Sequence, residues 1–390
     1  MRDGWTETTL GELCEIYQPE TISKAQMDPA APYLVYGANG PVGRYSKFNH
    51  EESEVVVTCR GATCGVVNVT PPNCWITGNA MVVKPRDNRS TKGFLFWALQ
   101  TSVDIQATIS GSAQPQITRT GLAPSKIRVP PVEEQKRIVD VVSSVDAYID
   151  ALQQKADTAR TARNAVLHEL LSAGGDDWTE TTLGELLSRS IGGVWGGEPG
   201  SDQEEVTVVR STEFTRSGVL NYSTGVFRSI RSGQLSTREL AAGDILLEKS
   251  GGGPEQPVGR VVYVESDIPP RFVCSNFIQL LTPIVEKVLP RFLFLQMWMW
   301  HFENRTLEFQ AQTTGIRNLR TPDYLEQSVA LPPVSVQKRI VEIVSSMDEV
   351  IQSTEQAVED TKNLRSGLLS DLLSGEHEIP ASYDVFVGQS

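Results

Sequence analysis

Pro130-Pro131-Val132-Glu133-Glu134-Gln135-Lys136-Arg137-Ile138-Val139-Asp140-Val141-Val142-Ser143-Ser144-Val145-Asp146 returns as Pro332-Pro333-Val334-Ser335-Val336-Gln337-Lys338-Arg339-Ile340-Val341-Glu342-Ile343-Val344-Ser345-Ser346-Met347-Asp348, 202 residues later. The offset holds without a gap to Leu170-Leu171-Ser172 and Leu372-Leu373-Ser374. Each copy reads as one long helix, opened by proline where a missing N–H costs nothing. Glu133 and Glu134 stand in the first turn of the first copy, on the favourable side of the helix dipole. Ile138, Val145, Leu152, Ala159 and Val166 alternate with Val142, Ile149, Ala156, Arg163 and Leu170. In the second copy Ile340, Met347, Thr354, Thr361 and Leu368 alternate with Val344, Ile351, Val358, Arg365 and Leu372. Steps of four and three over five heptads describe a coiled-coil seam. Arg163 and Arg365 occupy the same seam position, where a polar residue fixes register at some cost in stability. About 41 residues at ~1.5 Å each make a rod of roughly 60 Å, and the natural partner of each rod is the other.

The rest of the chain repeats too. Trp5-Thr6-Glu7-Thr8-Thr9-Leu10-Gly11-Glu12-Leu13 recurs letter for letter as Trp178-Thr179-Glu180-Thr181-Thr182-Leu183-Gly184-Glu185-Leu186, at an offset of 173. The protein is therefore a tandem duplication of globular segment and rod, with the second globular segment 29 residues longer than the first. Rod length was held while globular length drifted. The expected divisions are a first globular domain at 1–130, a helical segment at 131–177, a second globular domain at 178–331, a second helix at 332–375 and a tail at 376–390.

Both globular segments read as α+β. Strands are expected at Glu54–Arg60, Gly65–Val69 and Ala80–Lys84, then a short buried aromatic helix at Phe94–Gln100. The second segment follows the same order at Asp244–Glu248, Gly259–Val264, Phe277–Leu281 and Phe292–Trp298. The copies diverge in three loops. Tyr36–Tyr45 answers to Val209–Arg216, Arg60–Gly65 to Lys249–Gly259, and Ser110–Arg119 to Gln312–Arg320, the last pair matching Gln116 with Asn318. Loops that vary on a shared scaffold are where recognition usually lives.

Charge is informative only when divided. The net −13 is spread as +1 over 1–130, −4 over 131–177, −4 over 178–331 and −6 over 332–390, so most of the excess acid sits on the helices and tail. The first globular segment is balanced, which leaves room for a local basic groove. Residues 178–331 hold twelve Arg and two Lys, and Arg is the residue for bidentate contact with phosphate and guanine. Five cysteines, an odd number, behind a polar start point to a reducing, cytoplasmic setting. No apolar run reaches 18 residues, so no membrane span is expected.

These residues resemble the specificity subunits of type I restriction–modification systems and the similar subunits of type IIB enzymes. The resemblance rests on the doubled opening motif, the Tyr36-Gly37-Ala38-Asn39-Gly40 and Arg60-Gly61-Ala62-Thr63-Cys64-Gly65 loops, and the Pro-Pro…Gln-Lys-Arg-Ile-Val rod starts. It implies two target-recognition domains at opposite ends of an antiparallel helix pair, each reading half of a bipartite site in double-stranded DNA. It implies two methyltransferase subunits as partners, with restriction/translocase subunits as optional ones. No cofactor is expected in this chain; the partners are expected to use S-adenosylmethionine, and ATP with Mg where a restriction subunit is present. Physics agrees, because only the major groove distinguishes every base pair, and two separate readers need a stiff spacer. The alternative is a protein–protein adaptor with incidental DNA affinity.

Catalytic motifs are missing. There is no methyltransferase Asn/Asp-Pro-Pro-aromatic motif and no P-loop. Asp244…Glu248-Lys249 only approaches a metal-nuclease pattern, and Cys59, Cys64 and Cys74 lack a nearby fourth zinc ligand. No metal is expected. The side chains suited to base edges are Asn39, Arg44, Lys47, Arg60, Thr63, Gln114, Gln116 and Arg119 in the first domain, and Arg210, Arg216, Lys249, Gln256, Arg317, Asn318 and Arg320 in the second. Arg suits guanine O6 and N7, and Asn or Gln suits adenine N6 and N7. Asn39-Gly40 is equally an Asn-Gly turn, and Gln116 and Asn318 are equally caps. Arg163 and Arg365 are assigned to the seam or to a partner subunit.

Overall fold

A computed structural model describes residues 4–111, 114–252, 257–313 and 316–384. It resolves into two compact units, one of residues 1–154 with 354–390, the other of 155–353. Each long helix, Val132–Ser172 and Val334–Ser374, contributes to both units.

In the first unit the repeated opening motif explains itself. Thr6–Thr9 pairs antiparallel with Lys126–Val129, joining the two ends of the globular segment in a ribbon. Thr9 then caps the turn Leu10–Leu13: its Oγ1 accepts from the Glu12 N–H at 3.3 Å while the Glu12 carboxylate accepts from the Thr9 N–H. Leu10 and Leu13 drop into the core. A four-stranded antiparallel sheet follows, ordered Cys14–Tyr17, Ala80–Pro85, Val55–Thr58, Val67–Val69. A smaller sheet places Tyr33–Tyr36 between antiparallel Pro41–Tyr45 and parallel Trp75–Ile76. The aromatic helix Lys92–Thr101 buries Phe94, Leu95, Trp97, Ala98 and Leu99 against the larger sheet. Leu369, Leu372 and Leu373 from the end of the second long helix share that core with Ile138 and Val142 from the start of the first.

The second unit repeats the plan. Thr179–Thr182 pairs with Ser328–Leu331, and Thr181 and Thr182 again hold the Glu185 carboxylate. The larger sheet runs Leu187–Gly192, Ile278–Pro283, Ile245–Glu248, Val261–Tyr263, the same order as before. The smaller one places Glu204–Val209 between antiparallel Val226–Ile230 and parallel Phe272–Cys274. An added three-stranded sheet joins Ser250–Gly252, Ile316–Leu319 and Gln310–Thr313. The aromatic helix is longer here, Pro290–Phe302, and is buried on nearly every side.

Within each unit the N-terminal part of one long helix lies beside the C-terminal part of the other, so the pairing is antiparallel. Arg365 binds Asp146 in the first unit and Arg163 binds Asp348 in the second. The ten seam positions read from the sequence are buried or half-buried in each helix, which is the coiled-coil pattern. Arg163 and Arg365 belong to this seam. Leu167 lies outside the heptad register and is fully buried, because it serves the second domain's core instead. No described helix is long and apolar enough to cross a membrane.

Candidate nucleic-acid interface

The first domain's loops gather at one end of the hairpin Val55–Thr58/Val67–Val69. Its connection is tight: the Gly65 N–H donates to the Thr58 carbonyl at 2.8 Å and the Cys64 N–H to the Gly61 carbonyl at 3.0 Å. Gly61 and Gly65 have φ of +88° and +94°, a conformation that side-chain-bearing residues resist, which accounts for the spacing of Arg60-Gly61-Ala62-Thr63-Cys64-Gly65. The 37–40 turn docks on this hairpin, with Thr58 Oγ1 donating to the Ala38 carbonyl and Asn68 Nδ2 donating to Asn39 Oδ1 at 2.7 Å. The third loop pairs with it through the Ile117 N–H on the Cys59 carbonyl at 3.0 Å and the Gly61 N–H on the Pro115 carbonyl at 3.2 Å. Arg60 and Gln116 thereby stand opposite one another. Asn39, Arg60, Thr63, Gln114 and Gln116 are all exposed on these three loops.

The remaining candidates of this domain are placed differently. Arg44 turns its guanidinium onto the Ala31 and Pro32 carbonyls at 3.2 and 2.9 Å, pinning the preceding bend. Lys47 is exposed beyond the end of Pro41–Tyr45, and Arg119 is exposed at the start of the short helix Arg119–Leu122.

The second domain builds the same meeting place with other side chains. The Leu319 N–H donates to the Lys249 carbonyl at 2.8 Å, the counterpart of Ile117 on Cys59. Ser250 consequently stands opposite Asn318, and its hydroxyl donates to Asn318 Oδ1 at 2.5 Å. Arg317 is half-buried on the same strand, with Nη1 3.5 Å from Gln310 Oε1. The 210–220 loop docks through Arg260, whose guanidinium grips Glu248 at 2.7 and 2.8 Å, reaches the Ser211 carbonyl at 3.1 Å and lies over the Phe214 ring. Hydrogen bonding to Glu248 pushes the Arg260 guanidinium above its already high range. Arg216 is exposed on this loop.

Three further candidates have structural duties. Arg210 holds the buried carboxylate of Glu213 at 2.6 Å. Burial works against ionisation of Glu213, but the hydrogen bonds from Arg210 and Thr212 prevail and keep its carboxyl below the ordinary range. Lys249 is half-buried with its ammonium 3.1 Å from Gln279 Oε1, and desolvation lowers its pKa. Arg320 binds the Glu308 carbonyl at 2.7 Å and Asp323 at 2.9 Å, while remaining exposed. Gln256 lies outside the described residues.

Residues that sequence reading passed over turn out to organise the site. Asn68, Ser250, Arg260 and Glu213 each fasten one loop to another, and their signal was only a polar residue inside or beside an apolar strand. The Asp244 and Glu248 carboxylates are fully engaged in structure, Asp244 by Arg189 at 3.0 Å and the Ala241 N–H at 2.8 Å, Glu248 by Arg260. Among the described residues no group of three His, Cys, Asp or Glu side chains is placed to hold a metal ion. Burial raises the Cys14 and Cys274 thiols to about 12, so both stay protonated.

A family model described as type I restriction modification DNA specificity domain matches residues 2–159 and again 176–360. The chain is similar to the type I restriction enzyme MjaVIII specificity subunit of Methanocaldococcus jannaschii, 20% identical over 417 residues that span 96% of this chain and 93% of that one. It is also similar to the EcoBI specificity subunit of Escherichia coli, 21% identical over 75% of this chain and 67% of that protein. In fold it is similar to the type I restriction–modification S subunit of M. genitalium, with a TM-score of 0.56, 19% identity and coverage of 95% of this chain and 96% of that one. It is also similar in fold to a chain of a solved structure concerning complex assembly and conformational transition of the type I R-M system, with a TM-score of 0.59 at 15% identity and coverage of 96% of this chain and 98% of that one. With its family matched once in each repeat, over most of its length, the chain belongs to the type I restriction modification DNA specificity domain family.

Proposed function

We propose that this chain is the DNA sequence-recognition subunit of a type I restriction–modification complex, non-catalytic itself, with each globular segment reading one half of a bipartite site. The observation that carries the reading is the pair of loop assemblies. Two copies of one backbone arrangement, joined by the equivalent bonds Ile117 to Cys59 and Leu319 to Lys249, present different side chains to solvent. Arg60 and Gln116 in one copy, and Asn318 and Arg317 in the other, are of the residue types whose donors and acceptors suit major-groove base edges. In this reading residues 1–130 and 178–331 are the two readers, the long helices set the gap and dock two methyltransferase subunits, and a restriction/translocase subunit is an optional addition. S-adenosylmethionine, and ATP with Mg, would be bound by those partners rather than by this chain.

The test is to map methylated motifs in a host carrying this chain with its methyltransferase subunits, alongside a methyl-transfer assay on the lone chain. A two-part motif that disappears when this chain is deleted, with no transfer by the chain alone, is the expected result. A motif unaffected by the deletion would point to the adaptor reading.

A further inference from the structure

The aromatic helix of each domain is fastened to the long helices by the same three-part contact. In the second unit the Arg163 guanidinium lies 4.6 Å from the centre of the Trp298 ring and binds Asp348 through Nε at 2.9 Å and Nη2 at 3.4 Å. In the first unit Arg365 lies 4.7 Å from the Trp97 ring centre and binds Asp146 with the same two nitrogens. A planar cation held between an aromatic face and a carboxylate is fixed in rotation as well as position, which a lysine could not reproduce.

The two tryptophans do not occupy matching places in their helices. Aligning Phe94-Leu95-Phe96 with Phe292-Leu293-Phe294 sets Trp97 opposite Leu295, whereas Trp298 lies three residues on, most of a turn further. The same contact is therefore made from a shifted register, so the duplication has kept the contact rather than the position. In the second unit a recognition loop rests on this point. Gly218 has φ of +79°, and a Cβ there would fall 2.4 Å from the Phe294 ring and 3.2 Å from Trp298. Arg216 is two residues away on the same loop. Arg291, whose guanidinium lies over Tyr263 and Phe294, adds a second cation 3.9 Å from Asp348.

We propose that Trp298–Arg163–Asp348 and Trp97–Arg365–Asp146 are positioning devices that fix the angle of each recognition domain on the long helices, and thereby set how strictly half-site spacing is discriminated. This rests on the recognition-subunit reading above. Arg163 and Arg365 touch no DNA in this scheme; they act through the aromatic helices. A device of this kind has a signature that general destabilisation lacks. Loosening it changes the preference among gap lengths while leaving the base preferences of both half-sites intact.

The experiment uses the complex of the full chain with its methyltransferase subunits and a set of duplexes carrying both mapped half-sites at the native gap, one base pair longer and one shorter. Methylation rates are compared for the parent chain, Arg163→Met, Arg163→Lys and Asp348→Asn, the last retaining shape and an acceptor in case the arginine variants fold poorly. Gap discrimination should fall about tenfold in Arg163→Met and Arg163→Lys, equivalent to roughly 1.4 kcal/mol, and in the same direction but less in Asp348→Asn. Unchanged discrimination, or an equal loss on all duplexes with the ratio preserved, would overturn the proposal while leaving the recognition reading standing. A parent complex with no gap preference would overturn both.

Discussion

The side-chain Oε1 of Gln337 accepts the backbone N–H of Leu289 at 2.8 Å, at the residue that caps the aromatic helix Pro290–Phe302. Gln135 does the same for Thr91 at 2.8 Å, and each glutamine donates its amide to a proline carbonyl at the start of its own long helix. Both glutamines are fully buried. Replacing either with leucine leaves a buried N–H and a buried carbonyl without partners and should cost about 1–3 kcal/mol. Chemical unfolding of Gln337→Leu and Gln135→Leu checks this, and a change below a few tenths of that range would remove the glutamine from the account.

Arg317 is expected to specify. Truncation to alanine should relax one base position at a cost of about 1–3 kcal/mol, whereas Lys47→Ala should weaken all sequences alike. Binding to a panel of single-base variants separates the two outcomes, and an unaltered profile for Arg317→Ala argues against its role.

Lys249 makes the contrary case. Its ammonium is turned to Gln279 and is easier to deprotonate than a free lysine because it is desolvated. Lys249→Met should keep the rank order of the same panel, since the replaced group faces the sheet.

Acid should find Glu213. The carboxyl titrates below its ordinary value of 4.5 in the folded chain, so its ionised form favours folding. The contribution is complete above the unfolded pKa and disappears as pH falls through the lower, folded one. Unfolding free energy measured across that window should decline more steeply in the parent than in Glu213→Gln, which has no such proton to take up.

Adding one heptad to both long helices should lengthen the gap between half-sites and leave both half-site sequences as they were. Mapping of methylated sites gives the answer directly; an unaltered gap means that the helices do not act as the ruler.

The parts of the fold that were legible in the sequence are those with a strong period or a literal repeat. The heptads and their proline starts located both long helices, although the first ends at Ser172, five residues short of the 177 expected. Three strands of each larger sheet followed from apolar runs such as Val55–Thr58 and Ile245–Glu248, while the edge strands Cys14–Tyr17 and Leu187–Gly192 were not foreseen. The smaller sheets escaped notice because their pairing is not local. Tyr33–Tyr36 meets Trp75–Ile76 in parallel across about forty residues, and Trp75–Ile76 is only two residues long. The candidate site was legible as three loops but not as an arrangement. Nothing in the one-dimensional pattern says that Arg210 is spent on a buried carboxylate, or that Arg60 and Gln116 face each other, because those facts depend on which backbones meet.

The joints that bring the third loop of each domain onto its hairpin are amide to carbonyl: Ile117 to Cys59 and Gly61 to Pro115 in one domain, Leu319 to Lys249 in the other. Peptide groups are indifferent to the letters they carry. A lineage can thus rewrite the outward side chains letter by letter, acquiring a new address on the genome, without having to solve the folding problem again.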